Sequence, residues 1–136
     1  VSLLLGIDAG STVTKAVVFD LQGKVLVTAQ RRVTLKYPQA RHVERDQDEL
    51  WQAVCAVSSE AMAGLDPADV IGVGVTSHGD GVYLVDDDLR PTRPGIMSLD
   101  TRAEEIVRRW RESGRDEEIF QVTGQFPWAS APGVLM

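Results

Sequence analysis

Cysteine is almost absent from this sequence. Cys55 stands alone, so no disulfide forms within the chain, and no cysteine-rich zinc or iron–sulfur site can be built from one copy. Such usage suits a reducing compartment, and a cytoplasmic protein is expected. Runs of Lys or Arg are also missing: 14 basic residues stand against 20 acidic ones, for a formal net charge of -6. Binding a phosphate backbone needs concentrated positive charge, so a nucleic-acid partner is not expected. Long apolar runs are lacking too. The stretch 1–7 is too short to cross a bilayer and has no basic start of the signal-peptide kind, so no membrane partner is expected.

What remains has the balance of an ordinary globular protein, 43% hydrophobic and 25% charged. Its 136 residues suffice for one compact domain with a core of its own. The chain starts on an apolar strand without Met and stops on the apolar Val134-Leu135-Met136. A fragment is expected, with residues 1–136 belonging to one N-terminal domain whose remainder, and a further C-terminal domain, lie elsewhere.

Residues 3–8 form an apolar run ending in an acid, which predicts a buried strand. Residues 13–20 and 25–35 read as two further strands joined by a turn at Gly23, which makes a three-stranded antiparallel meander. Asp46, with Glu49 three residues on, resembles a capping box. Leu50, Val54, Val57, Ala61 and Leu65 then recur at helical spacing and give one apolar face, until Gly64 and Pro67 stop the helix. Residues 70–76 predict a buried strand, which the helical crossover places parallel to the first. Beyond it come a strand at 82–85, an extended piece at Ile96-Met97 and a helix over 101–113 with Asp100 as its N-cap. Gly114 ends that helix, and a short one over 116–122 closes at Gly124. Trp51 and Trp110 read as helix-packing residues. The order strand–strand–strand–helix–strand is that of an α/β, ribonuclease-H-like (actin-like ATPase) domain, here incomplete at its C-terminus.

Chemistry concentrates after the first strand. Asp8 sits at its carboxyl end, where ligands collect in open α/β sheets. Gly10 lacks the Cβ that would keep a phosphate from the backbone, and Ser11 and Thr12 add hydroxyl and backbone donors. Asp8 would repel phosphate directly. Its chemical use is to hold Mg²⁺ through water, since Mg²⁺ takes oxygen ligands and keeps several waters. Lys15, on the second strand, adds positive charge nearby or is simply an exposed lysine. A tight glycine hairpin with an incidental acid is the alternative for the whole loop. The full run Gly6-Ile7-Asp8-Ala9-Gly10-Ser11-Thr12-Val13-Thr14-Lys15 is more specific than that, and it resembles the first phosphate motif of actin-like ATPases and sugar kinases.

Further segments follow in a telling order: His42-Val43-Glu44-Arg45-Asp46 with Glu49-Leu50-Trp51, then the strand 71–76, then Pro94-Gly95-Ile96-Met97-Ser98-Leu99-Asp100-Thr101-Arg102, then Val122-Thr123-Gly124. Over essentially its whole length the chain resembles the FGGY carbohydrate kinase family. The resemblance implies phosphoryl transfer from ATP, with Mg²⁺, to a hydroxyl of a small sugar or polyol, achieved mostly by positioning and charge neutralisation. It implies that Asp8, Gly10, Ser11, Thr12 and Lys15 meet the ATP phosphates, with Asp8 as the metal residue. His78, Gly79, Asp80, Asp100, Arg102 and Trp128 are implied at the sugar. The family's general-base Asp falls beyond Met136, so no catalytic residue is expected here and the stretch alone is expected to be inactive. Ser98 stands where the family usually has Trp, and Ser77-His78-Gly79-Asp80-Gly81 replaces the loops of xylulose and glycerol kinases. The pattern looks closest to the branch containing L-xylulose/3-keto-L-gulonate kinase, which favours a ketopentose such as L-xylulose, with polyol kinases next. A homodimer is compatible with this reading.

Each sugar-side residue also has a structural alternative. His78 caps a loop, Asp100 caps a helix, Arg102 is an exposed helix arginine, and Trp128 is core. Asp80, an acid between two glycines, points more toward a ligand. Two other classes share the opening strand: the activators of 2-hydroxyacyl-CoA dehydratases, which need cluster-binding cysteines, and structural relatives of actin.

Overall fold

The computed structural model describes residues 1–130. Its elements in chain order are β1 (Leu3–Ala9), β2 (Val13–Asp20), β3 (Val25–Arg32), β4 (Glu44–Arg45), α1 (Gln47–Ala61), β5 (Val70–Ser77), β6 (Gly95–Ile96), α2 (Glu104–Ser113) and α3 (Arg115–Thr123). They fall into two compact units. Val1–Thr34 with Asp46–His78 makes the first, and Leu35–Arg45 with the chain from Gly79 onward makes the second.

In the first unit, alternation along the strands sets the layers. Leu3, Leu5 and Ala9 of β1, Ala16 and Val18 of β2, and Ala29 of β3 are buried at every second position. The sheet order is β3-β2-β1-β5, with an antiparallel meander and β5 parallel to β1, as the sequence predicts. α1 starts where Asp46 accepts hydrogen bonds from the N–H groups of Asp48 and Glu49 at 3.0 and 3.2 Å. Acids in its first turn suit the positive end of the helix dipole. Val57 and Ala61, with no exposed surface, pack on Leu3, Leu5, Ala16, Val18 and Ala29. Burying each such aliphatic side chain contributes about 1.5–3 kcal/mol. The helix ends at Ala61 with Met62 as its C-cap, so Leu65 falls outside it, and Gly64 at φ 80 lies in the turn that follows. Among the described residues β5 is an edge strand like β3, and Ile71, Val73 and Val75 on it are exposed, which corrects the buried strand expected at 70–76.

Three other local expectations are corrected. The third strand stops at Arg32, not at residue 35, because the Val33 N–H turns to the Thr12 carbonyl at 3.0 Å and the Thr34 N–H to Glu49 Oε1 at 3.1 Å. Glu49 therefore braces that strand end and does not complete a capping box. Trp51 is 67% exposed and does not pack its helix.

In the second unit β4 pairs antiparallel with β6, and Val82 exchanges both backbone hydrogen bonds with Ile96 at 2.8 and 2.9 Å. Residues 82–85 are not a continuous strand: Val82 and Val85 make single bridges to Ile96 and Pro91. The turn beyond them is set by Asp86, whose carboxylate accepts from the Asp88 and Arg90 N–H groups. α2 begins after Ala103 with no side-chain cap, so Asp100 is not its N-cap. Gly114 and Gly124, at φ 74 and 71, end α2 and α3 as expected.

Gly95 shows how tightly this unit is packed. A Cβ there would overlap the Tyr83 ring, which also donates its hydroxyl to Met97 Sδ at 3.2 Å. Gly95→Ala should therefore destabilise by about 1–3 kcal/mol, the usual range for overpacking. Gly74→Ala, whose Cβ meets nothing within 4 Å, should be near neutral. Thermal unfolding of the two variants checks the contrast.

Candidate functional site

The β1 register builds the first half of the site. Asp8 pairs with Lys15 of β2 on one side and with Thr76 of β5 on the other, so the three stand abreast on one face. They form the polar end of a groove of about 440 Å³, floored by Gly6 and Gly74 and walled by Val17 and Phe19. Asp8 and Lys15 are exposed. Among the described residues the Asp8 carboxylate makes no hydrogen bond or ion pair, which leaves both of its oxygens to solvent. Gly10 follows two residues later. A Cβ on it would lie 2.6 Å from the Val13 carbonyl, so no other residue keeps this loop as it is. Ser11 is half-buried and Thr12 exposed.

His78 ends the first unit. Its Nδ1 lies 3.3 Å from the Ala9 carbonyl oxygen. A carbonyl only accepts, so Nδ1 carries the proton in that contact. The imidazole therefore touches the backbone at the start of the loop after β1, a contact that its sequence position did not suggest.

The other residues expected at the sugar lie in the second unit. Asp80 is exposed and sits at φ 59, in the left-handed region that Asp and Asn tolerate better than most residues. A Cβ on Gly79 would meet nothing within 4 Å, so local packing does not explain that glycine. Trp128 is half-buried.

Asp100 and Arg102 are brought together. Asp100 has no exposed surface, and its carboxylate takes Arg102 in a fork, Nε to Oδ1 at 2.8 Å and Nη2 to Oδ2 at 2.7 Å. It also accepts the backbone N–H groups of Arg102 at 3.0 Å and of Val43 at 2.7 Å. Burial alone would raise the Asp100 pKa. The Arg102 guanidinium and the two backbone donors outweigh burial and hold it below the ordinary carboxylate value. Arg102 is pushed above the usual guanidinium value, chiefly by its hydrogen bond to Asp100 against desolvation, with Glu44 assisting. Two participants escaped sequence reasoning. Thr76 was visible only as a strand end, and its place beside Asp8 depends on the parallel register. Glu44 stood in a quoted motif without a role.

The profile of the FGGY family of carbohydrate kinases, N-terminal domain, matches residues 3–136. The chain belongs to the FGGY family. Among the relatives of this FGGY chain is a probable L-xylulose kinase of Pasteurella multocida, 36% identical over 130 residues, covering 94% of this chain and 27% of that protein. A glycerol kinase of Methylibium petroleiphilum is 35% identical over 124 residues, covering 89% and 25%. The crystal structure of a xylulose kinase from Rhodospirillum rubrum superposes with a TM-score of 0.78 at 29% identity, covering 87% of this chain and 25% of that one. The actin-like fold expected from the sequence is thereby established. The chain spans about a quarter of the length of the curated relatives it matches. Among the described residues no helix is long and apolar enough to cross a membrane.

Proposed function

We propose that the protein carrying this stretch is an ATP-dependent kinase of a small sugar or polyol, residues 1–136 forming the front of its N-terminal domain. The observation that carries this reading is the exposed, unengaged Asp8, set between Lys15 and Thr76 at the end of β1 and followed by Gly10 in a loop that a Cβ would disrupt. These residues fit Mg²⁺ and the ATP phosphates. Among the described residues no cluster of three metal-binding side chains exists, and a lone exposed carboxylate suits an ion that keeps most of its waters. Bound Mg²⁺ would neutralise charge on the transferring phosphoryl group. Within this chain Asp8 would hold the ion, Gly10 would let the phosphates approach the backbone, and Ser11, Thr12 and Lys15 would supply donors and positive charge. His78, Gly79, Asp80, Asp100, Arg102 and Trp128 are assigned to the sugar side, and the general base to the chain beyond Met136. Under this reading the protein acts in the cytoplasm, where ATP is held.

A ketopentose, L-xylulose first, is the favoured acceptor. Its support is the similarity to the probable L-xylulose kinase, with glycerol and other polyols as the second class on the similarity to a glycerol kinase. A coupled ADP-release screen of the full-length protein against pentuloses, polyols and hexuloses tests both levels. Sugar-dependent ADP formation, highest in kcat/KM for L-xylulose, is the expected result. ATP hydrolysis indifferent to every sugar would overturn the kinase reading, and a clear preference for glycerol would overturn only the acceptor.

A further inference from the structure

Glu44 holds two arginines on one oxygen. Its Oε1 accepts from Arg93 Nη2 at 2.7 Å and from Arg102 Nη2 at 2.8 Å, and its side chain is only 12% exposed. We infer that Glu44 is a positioning residue that fixes the Arg102 guanidinium so that its Nη1 edge is presented to an oxygen of the acceptor sugar. The inference rests on the kinase reading above.

A guanidinium is a flat fork with five N–H donors. In Arg102 the Nε–H and one Nη2–H are taken by Asp100, and the second Nη2–H by Glu44. That consumes one whole edge of the fork. The two donors left without a described partner are on Nη1, and the Arg102 side chain keeps 18% exposure. Asp100 alone would let the group pivot on one shared edge. Glu44 adds a carboxylate from a different segment, and a fork held by two carboxylates has one orientation left.

Glu44 is itself held still. Its backbone exchanges hydrogen bonds with Lys36 at 2.7 and 2.8 Å, and β4 is paired with β6. The donors so presented suit a neutral or anionic oxygen, whether hydroxyl, carbonyl or carboxylate. They offer nothing to a cationic ligand.

The test uses the full-length protein. Glu44→Ala should raise the sugar KM about tenfold, the effect of one charge-assisted hydrogen bond, with the ATP KM within about twofold. Loss of folded protein lowers apparent turnover but leaves KM untouched, so a merely structural Glu44 would not give this split. Glu44→Gln, which keeps an acceptor oxygen, should recover most of the sugar KM. Arg93→Ala should leave the sugar KM within about twofold; if it matches Glu44→Ala, Glu44 serves the segment around Arg93 and the inference falls.

A second readout is independent of activity. In arginine-¹⁵N-labelled protein, Arg102 should show separate Nη1 and Nη2 resonances, assigned by their loss in Arg102→Lys, because rotation about its Cζ–Nε bond is blocked. Exchange between them should be faster in Glu44→Ala than in the parent, because one of the three hydrogen bonds that oppose the rotation is gone while the two to Asp100 remain. An unchanged sugar KM, or an unchanged exchange rate in Glu44→Ala, would overturn the inference. If no sugar supports ADP release even in the parent protein, the kinase reading fails, and the resonances still decide whether Glu44 locks Arg102.

Discussion

Asp8→Asn in the full-length protein is expected to lower turnover by about a hundredfold or more, the scale seen when one preorganised electrostatic contact is removed from a transition state. The melting temperature should not change. The Asp8 carboxylate makes no hydrogen bond or ion pair among the described residues, and Asn keeps the backbone pairing to Lys15 and Thr76. What Asn loses is the negative charge that would hold hydrated Mg²⁺ beside Gly10. The Mg²⁺ concentration needed for half-maximal rate should rise in parallel. Near-normal turnover with an unchanged Mg²⁺ dependence would remove Asp8 from the phosphate site.

The second large effect is expected at Asp80, and the backbone dictates how it is measured. At φ 59 the residue stands where Asn is tolerated and Ala is strained. Asp80→Asn therefore removes the charge with the loop conformation kept, whereas Asp80→Ala changes both. The sugar KM should rise about tenfold or more in Asp80→Asn, because the amide keeps one acceptor oxygen but loses the charge and the second acceptor, which weakens a charge-assisted pair of hydrogen bonds to the sugar. The KM for ATP should stay within about twofold, and only Asp80→Ala should also lower the melting temperature. If Asn is silent and Ala is damaging, Asp80 serves the turn. Equal losses of ATP and sugar affinity would point to the same conclusion.

Local chemistry was legible in the sequence wherever cause and effect lie a few residues apart. The Asp46 cap, the stops at Gly114 and Gly124, and the meander around Gly23 all have their reasons within one turn of chain. Asp100 shows the limit. An acid just before a helix reads as a cap, yet its carboxylate reaches the Val43 N–H, 57 residues away in sequence. Glu49 was likewise assigned to a local pattern and Glu44 was given no role, and both are used by distant groups. Strand 82–85 failed for a related reason: its composition permits extension, but its two ends bridge to separate segments, Val82 to Ile96 and Val85 to Pro91. The closeness of Asp8 and Lys15 was legible, because a hairpin brings them together. The residues expected at the sugar are scattered along the chain, and no spacing rule connects them.

The β5 edge has a practical consequence for anyone who isolates this stretch. Its eight residues, Val70–Ser77, carry no charge and no proline, and among the described residues the strand has a neighbour on one side only. Ile71, Val73 and Val75 are 58–71% exposed along it. Free backbone donors and acceptors beside β-branched side chains are a template for another strand, and charged or proline gatekeepers are the usual protection. Residues 1–136 prepared alone thus carry a self-association hazard that a lysine at position 73 would blunt, so crystals, spectra and affinities from such a sample call for a concentration series.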